Sequence, residues 1–190
     1  MPAASSFAVR VLENTWEAQA ITVFEQLFKE YGLPGSIRSD NGVPFASPNM
    51  IYGLSSLSVW WLRLAIGIER IKPGNPQQNG RHERMHLMLK QGTTKPPGTT
   101  LLQQQDKFED FIHEYNYERP HQTSGMMRPA DLYTPSTRKY EGLPDVSYPF
   151  HDKTVTITNC GRICIEGQKI HLSTVFAGHD VGVRQVEDDV

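Results

Sequence analysis

Residues 1–39 of this 190-residue chain contain no aspartate, the whole chain has two cysteines, and no apolar run reaches the length of a membrane-spanning helix. The last of these excludes an integral α-helical membrane protein. The first residues, MPAASSF, lack a basic stretch followed by a long apolar core, so they do not read as a secretory leader, and the expected setting is intracellular. Cys160 and Cys164 sit in a β-patterned segment without a second Cys pair or a neighbouring His pair. They read as reduced thiols, not as a disulfide framework or a zinc site.

Excess charge is missing too: a net charge of −2 argues against a uniformly basic, DNA-coating protein. The total conceals an asymmetry. Between residues 60 and 100, seven basic residues (Arg63, Arg70, Lys72, Arg81, Arg84, Lys90 and Lys95) face only Glu69 and Glu83. From 141 to 190, eight acidic residues outnumber four basic ones. A polyanion is therefore expected to meet the middle of the chain and not its end.

An apolar content of 38% in this length suits one ordinary domain with a small appendage. Phe7 to Leu12 alternates as a strand, and Asn14 followed by Glu17 marks a helix start. Val23, Phe24, Leu27, Phe28 and Tyr31 then recur at helical steps until Gly32 and Pro34 end the run. Ser36 to Ser39 allows a short strand, with Asp40 where it gives way to Asn41 and Gly42. A second helix is predicted over Leu54 to Ala65 with Trp60 and Trp61 inward, followed by a strand at Ile68 to Ile71. Pro73 and Pro76 delay the next helix to about Gln77, so Glu83 falls in an early turn. Gly92 to Thr100 is a loop before an amphipathic helix through Tyr115, and YNYERPH and RPADLYTP are turn-rich. Beyond Pro144 and Pro149 the period changes to two, predicting short antiparallel strands of a barrel-like unit without an obvious closing strand.

Two carboxylates stand out: Asp40 in SDNGVPF, at a strand end, and Glu83 in NPQQNGRHERMH, after 42 intervening residues. They supply two of the three carboxylates that a two-metal phosphoryl-transfer site uses. SDNG, GNPQQNGRHERMH, KPPGTT and YNYERPH, in this order, resemble the catalytic core of insertion-sequence transposases and retroviral-type integrases, the DDE family. The resemblance covers roughly Phe7 to Pro135, and the later β segment is similar to the small C-terminal domain of the same transposases.

The resemblance implies an α/β fold, a ribonuclease H-like mixed sheet with flanking helices, followed by a small, incomplete β-barrel-like domain. The implied division is a core fragment at 1–137, a linker at 138–150 and the β domain at 151–190. By position, Asp40 corresponds to the second catalytic Asp and Glu83 to the catalytic Glu, both ligands of two Mg²⁺ or Mn²⁺ ions. Asn79 and Gly80 let backbone approach the site, and Lys90, Arg81 and Arg84 are the DNA-contacting candidates. Lys90 lies seven residues after Glu83, on the same helical face. Phe7 to Leu12 matches the third strand of the family core, so the first two strands and the first catalytic Asp are expected upstream of Met1.

The implied reaction is metal-dependent DNA strand cleavage and transfer in DNA integration and transposition, in the bacterial cytoplasm or nucleoid. DNA and further copies of the chain are the implied partners, with no membrane and no small-molecule substrate. The missing carboxylate implies that the chain is inactive alone. Two alternatives stand beside this reading. One is a DNA-binding or dimerising remnant without catalysis. The other is a zinc protease, because His82, Glu83 and His86 satisfy HExxH, with His113 or Glu114 as a further ligand. The charged Arg81 and Arg84 around and between the histidines weigh against it. His113, His121, Trp60 and Trp61 are expected to be surface, turn and core residues.

Overall fold

The computed structural model describes residues 9–10, 17–40, 42–47, 50–72 and 80–186, with only the backbone of Ile51, Arg81, His82 and Thr123. Contacts divide the chain into two units, each assembled from two separate stretches. Met1–Pro34 joins Arg70–Tyr140, and Gly35–Glu69 joins Glu141–Val190.

The first unit is helical. Helix α1 spans Glu17–Tyr31, with Ala20 and Phe28 buried on its apolar face. Phe28 lies 5.7 Å from the Phe24 ring and 6.1 Å from that of Tyr140, whose hydroxyl donates to Glu25 Oε1 at 2.8 Å. Burial and this carboxylate push the Tyr140 phenol up to about 12. Gly32 ends the helix with φ near 79°, and a Cβ there would sit 2.8 Å from Arg138 O. The residue must be glycine because a strap of chain is hydrogen-bonded across this end. Leu33 N donates to Arg138 O at 2.7 Å, and Ser136 Oγ to Leu33 O at 2.6 Å. The strand expected at Phe7 to Leu12 and the helix start at Asn14 lie outside the described residues, apart from Val9 and Arg10. These two meet Gln105 and Glu109.

Helix α3 (Gly80–Thr93) and α4 (Leu101–His113) pack together as a hairpin. Two glutamines fasten its loop: Gln103 accepts from Thr99 N at 3.0 Å, while Gln104 accepts from Gly98 N at 2.8 Å and donates to Thr93 O at 3.2 Å. Thr100 caps α4 by accepting from Gln103 N. The turn-rich YNYERPH forms a wide π turn, Glu114–Glu118, that buries Tyr115 and Asn116. RPADLYTP contains a single-turn helix, α5 (Pro129–Leu132). Arg128 ties the two together, donating to Tyr117 O at 3.2 Å and pairing with Asp131 at 2.8 Å.

The second unit holds β1 (Ser36–Ser39), α2 (Ser56–Arg63) and nearly all of β2 (Gly67–Arg70). With them are β3 (Lys153–Thr156), β4 (Arg162–Ile165), β5 (Gln168–His171) and β6 (Asp180–Val183). Leu57 and Trp61 are fully buried and Trp60 nearly so, as the helical spacing predicts. Two serines build the start of α2. Ser58 N donates to Ser55 Oγ at 3.1 Å, while Ser55 N donates to Ser58 Oγ at 2.7 Å. This is a capping box with serine in the place usually held by Glu, and both residues are buried.

Among the described residues the ladders form three two-stranded sheets, β1–β2, β3–β6 and β4–β5. They do not join into the wider mixed sheet that the resemblance implies, and the β segment forms two separate pairs where an incomplete barrel-like unit is expected. The last strand pairs antiparallel with the first of the β segment, Lys153 opposite Val183. Residues Glu166 and Gly167 turn β4 into β5 with φ of 50° and 82°, as a two-residue hairpin needs. Single backbone bonds extend each ladder beyond its strands, Ile157 N to His179 O for β3–β6 and Leu172 N to Gly161 O for β4–β5. Each strand has four residues, too few to bury a face unaided. The β segment instead packs on α2 through its Thr174–Phe176 turn, with Val175 buried.

Candidate functional site

Asp40 directly follows β1, where the strand leaves its ladder and its carboxylate is exposed. Oδ1 accepts from Gly42 N at 3.1 Å, the short-range bond by which an Asp turns its own chain. The following loop is anchored, because Phe45 stacks on Trp61 of α2 with ring centroids 5.9 Å apart. The buried neighbour Ser39 holds an Oγ with no partner among the described residues. Opposite Asp40 in chemical character, Arg38 pairs with Glu69 at 2.8 Å across β1–β2. The Ser36 hydroxyl, and then Arg38, hold the Glu69 carboxyl below the ordinary range.

Glu83 lies in the first turn of α3, exposed, where the helix dipole favours a negative charge. Met85 and Thr93 mark the buried side of this helix. Arg84 and Lys90 are exposed, and Lys90 is in the last turn. Gly80 is the first residue of α3, and a Cβ there would meet nothing within 4 Å. Asn79 and the side chains of Arg81 and His82 lie outside the described residues.

Asp40 belongs to one packing unit and Glu83 to the other. Both offer hard oxygen donors of the kind that Mg²⁺ and Mn²⁺ take. Donor type fits, but ligand number does not: among the described residues no group of three or more His, Cys, Asp or Glu is gathered to hold a metal ion.

The other sequence candidates have plain settings. His113 is exposed on α4, 3.4 Å from Glu118. His121 Nε2 lies 3.2 Å from Tyr115 O, so it donates there, and its ring meets Tyr115 edge-on at 4.4 Å. It is a turn-packing residue. Cys160 and Cys164 are exposed free thiols. Among the described residues no helix is long and apolar enough to cross a membrane. Periodicity missed the stack of Phe45 on Trp61; the only available signal was an aromatic three residues after a turn-forming Gly.

Residues 64–129, which hold α3 and α4, match the family model described as Integrase core domain. This stretch is thus similar to an integrase core segment. It is also similar to a protein of Xanthomonas euvesicatoria described as the insertion element IS476 uncharacterized 39.2 kDa protein. The two are 29% identical over 116 residues, 60% of this chain and 32% of that protein. Among solved structures it is similar in fold to a chain of the simian T-cell lymphotropic virus intasome in complex with PP2A regulatory subunit B56 gamma. That likeness has a TM-score of 0.51 at 20% identity and covers 76% of this chain and 49% of that one. The chain therefore spans about a third of the insertion-element relative and about half of the solved one.

Proposed function

We propose that the chain is part of a DNA-processing integrase or transposase of an insertion element, with Asp40 and Glu83 as carboxylate ligands of Mg²⁺ or Mn²⁺. Arg81, Arg84 and Lys90, with the backbone at Asn79 and Gly80, are its proposed DNA contacts. The supporting observation is that the integrase core match spans α3, the helix that presents Glu83, Arg84 and Lys90. The bound ions would supply Lewis-acid stabilisation of charge at phosphorus. The chain's own part is to hold Asp40 in its Gly42-bonded turn, to present Glu83 at a helix start, and to draw phosphates onto an exposed basic helix face. DNA and other copies of the chain are the proposed partners. Two carboxylates, with no aspartate among residues 1–39, leave the ligand set short, so strand transfer by this chain alone is not expected.

Affinity cleavage tests the site without relying on turnover. Fe²⁺ added in place of Mg²⁺, with peroxide and ascorbate, cuts backbone near a bound ion. Cuts are expected beside both Asp40 and Glu83, and both sets should vanish in Asp40→Asn and again in Glu83→Gln. Cutting beside only one of them, or one set surviving loss of the other carboxylate, refutes a shared metal site. A second reading, a DNA-binding remnant, is favoured by the exposed Arg84 and Lys90 of α3, which do not depend on Asp40. DNA binding without any such cutting selects it.

A further inference from the structure

Helix α2 and the turn before β6 meet through a polar contact in which Arg63 Nη1 lies 2.9 Å from His179 Nδ1. A guanidinium has only donors and stays protonated in proteins. The imidazole nitrogen facing it must therefore carry a lone pair, which makes His179 neutral with its proton on Nε2. We propose that this contact is a pH-operated latch: neutral His179 fastens the 174–179 segment to α2, and protonation releases it. Adding a proton at Nδ1 converts the acceptor into a donor and sets a second cation against the guanidinium. Arg63 cannot turn to a substitute easily, since its Nε is already buried without a partner among the described residues.

The charged groups facing His179 are Arg63 from α2 and Asp180 from β6. Asp180 favours the imidazolium, but its Oδ1 is engaged by Thr156 Oγ1 at 2.6 Å. The backbone of His179 is held as well, with Ile157 N donating to His179 O and His179 N to Phe176 O. Burial first, and then Arg63, outweigh Asp180 and hold the imidazole below the usual histidine range. A base whose folded-state pKa is depressed adds stability that is complete above its unfolded value, about 6.5, and lost as pH falls from there through the folded value. The latch is thus closed at neutral pH and opens in mild acid. What it guards is the α2 face packed on Thr174–Phe176, together with Met50 Sδ, which accepts from Ser173 Oγ at 3.6 Å.

Hydrogen exchange of the full chain at pH 7.5 and 5.5, corrected for intrinsic rates, tests this. Protection in peptides covering 56–66 and 174–181 should drop by up to about tenfold between these pH values, since the loss starts near the unfolded value of about 6.5, while peptides from 80–113 stay unchanged. In His179→Gln the carboxamide oxygen accepts from Arg63 without titrating, so the pH dependence should disappear. Equal protection at both pH values in the native protein, or an undiminished pH effect in His179→Gln, overturns the proposal. Should that variant not fold, the native His179 titration followed by NMR decides: a midpoint below 6.5 supports the latch, and one at or above 6.5 overturns it.

Discussion

The two serines that start α2 offer a sharp quantitative test, because each removes a buried orphan from the other. Ser58→Ala deletes the acceptor of Ser55 N and the hydroxyl that donates to Ser55 O at 2.9 Å. Ser55 is 1% exposed and Ser58 fully buried, so water cannot replace the lost partner. A lost cap costs about 1 kcal/mol and an unsatisfied buried amide about 1–3 kcal/mol, so a loss of about 2–3 kcal/mol is expected. Ser55→Ala strips the acceptor from Ser58 N and should cost a similar amount. For a chain of this size that corresponds to a fall in Tm of roughly 4–12 °C. Ser56, exposed at the first helical position, is the control, and Ser56→Ala should stay within about 0.5 kcal/mol. Urea unfolding followed by tryptophan emission reads the change directly, since Trp60 and Trp61 lie on α2. If Ser58→Ala unfolds within about 0.5 kcal/mol of the native chain, the reciprocal cap is not holding the helix and the reasoning fails.

Gly161→Ala should destabilise the second unit strongly, since its Cβ would run into the backbone of Ser173 and Thr174 at a φ of 74°, whereas Gly167→Ala meets open space and bears only the backbone strain. Comparing the two urea midpoints checks this; equal losses would refute the steric argument. Replacing Arg84 and Lys90 together by Ala should lower the magnitude of the salt slope of DNA binding by about 1 per residue, while Lys153→Ala and Lys169→Ala leave it unchanged. Identical slopes for all variants would mean that the basic face of α3 is merely solvated. The Tyr140 phenol, pushed up to about 12, adds stability that is full below its unfolded value near 10 and lost as pH rises through 12. Tyr140→Phe should flatten that alkaline decline in a pH series of melts, and an unchanged decline would assign it to other groups.

Much of the helical layout was legible because long amphipathic stretches announce themselves. α1, α2 and α4 follow their apolar spacing, and proline placed Glu83 in the first turn of α3. The motif order also pointed to the class that the integrase core match bears out. Alternation likewise revealed each short strand of the β segment, such as β4 with Ile163 buried. It could not reveal partners, since a four-residue strand carries no signal for which ladder or helix it joins. Nothing local told Ile157 to bond with His179, or Val175 to pack beneath α2. The wide turn at Glu114–Glu118 was similarly hidden, because YNYERPH reads only as a break. Neither spacing nor burial gathers a third ligand around Asp40 or Glu83 among the described residues.

The interleaving of the second unit constrains how a ribosome can deliver it. Arg63 and His179 are 116 positions apart, and the Thr174–Phe176 turn that packs on α2 lies beyond the whole of α3 and α4. At roughly 5–20 residues per second, Arg63 is synthesised roughly 6–23 seconds before His179. Over that interval the tryptophan-bearing face of α2 has no Val175 to cover it, while the α3–α4 hairpin, whose contacts are close in sequence, can already form. Nascent chains stalled before residue 174 should therefore bind chaperones through residues 57–66, and chains stalled after the turn has cleared the tunnel should let go.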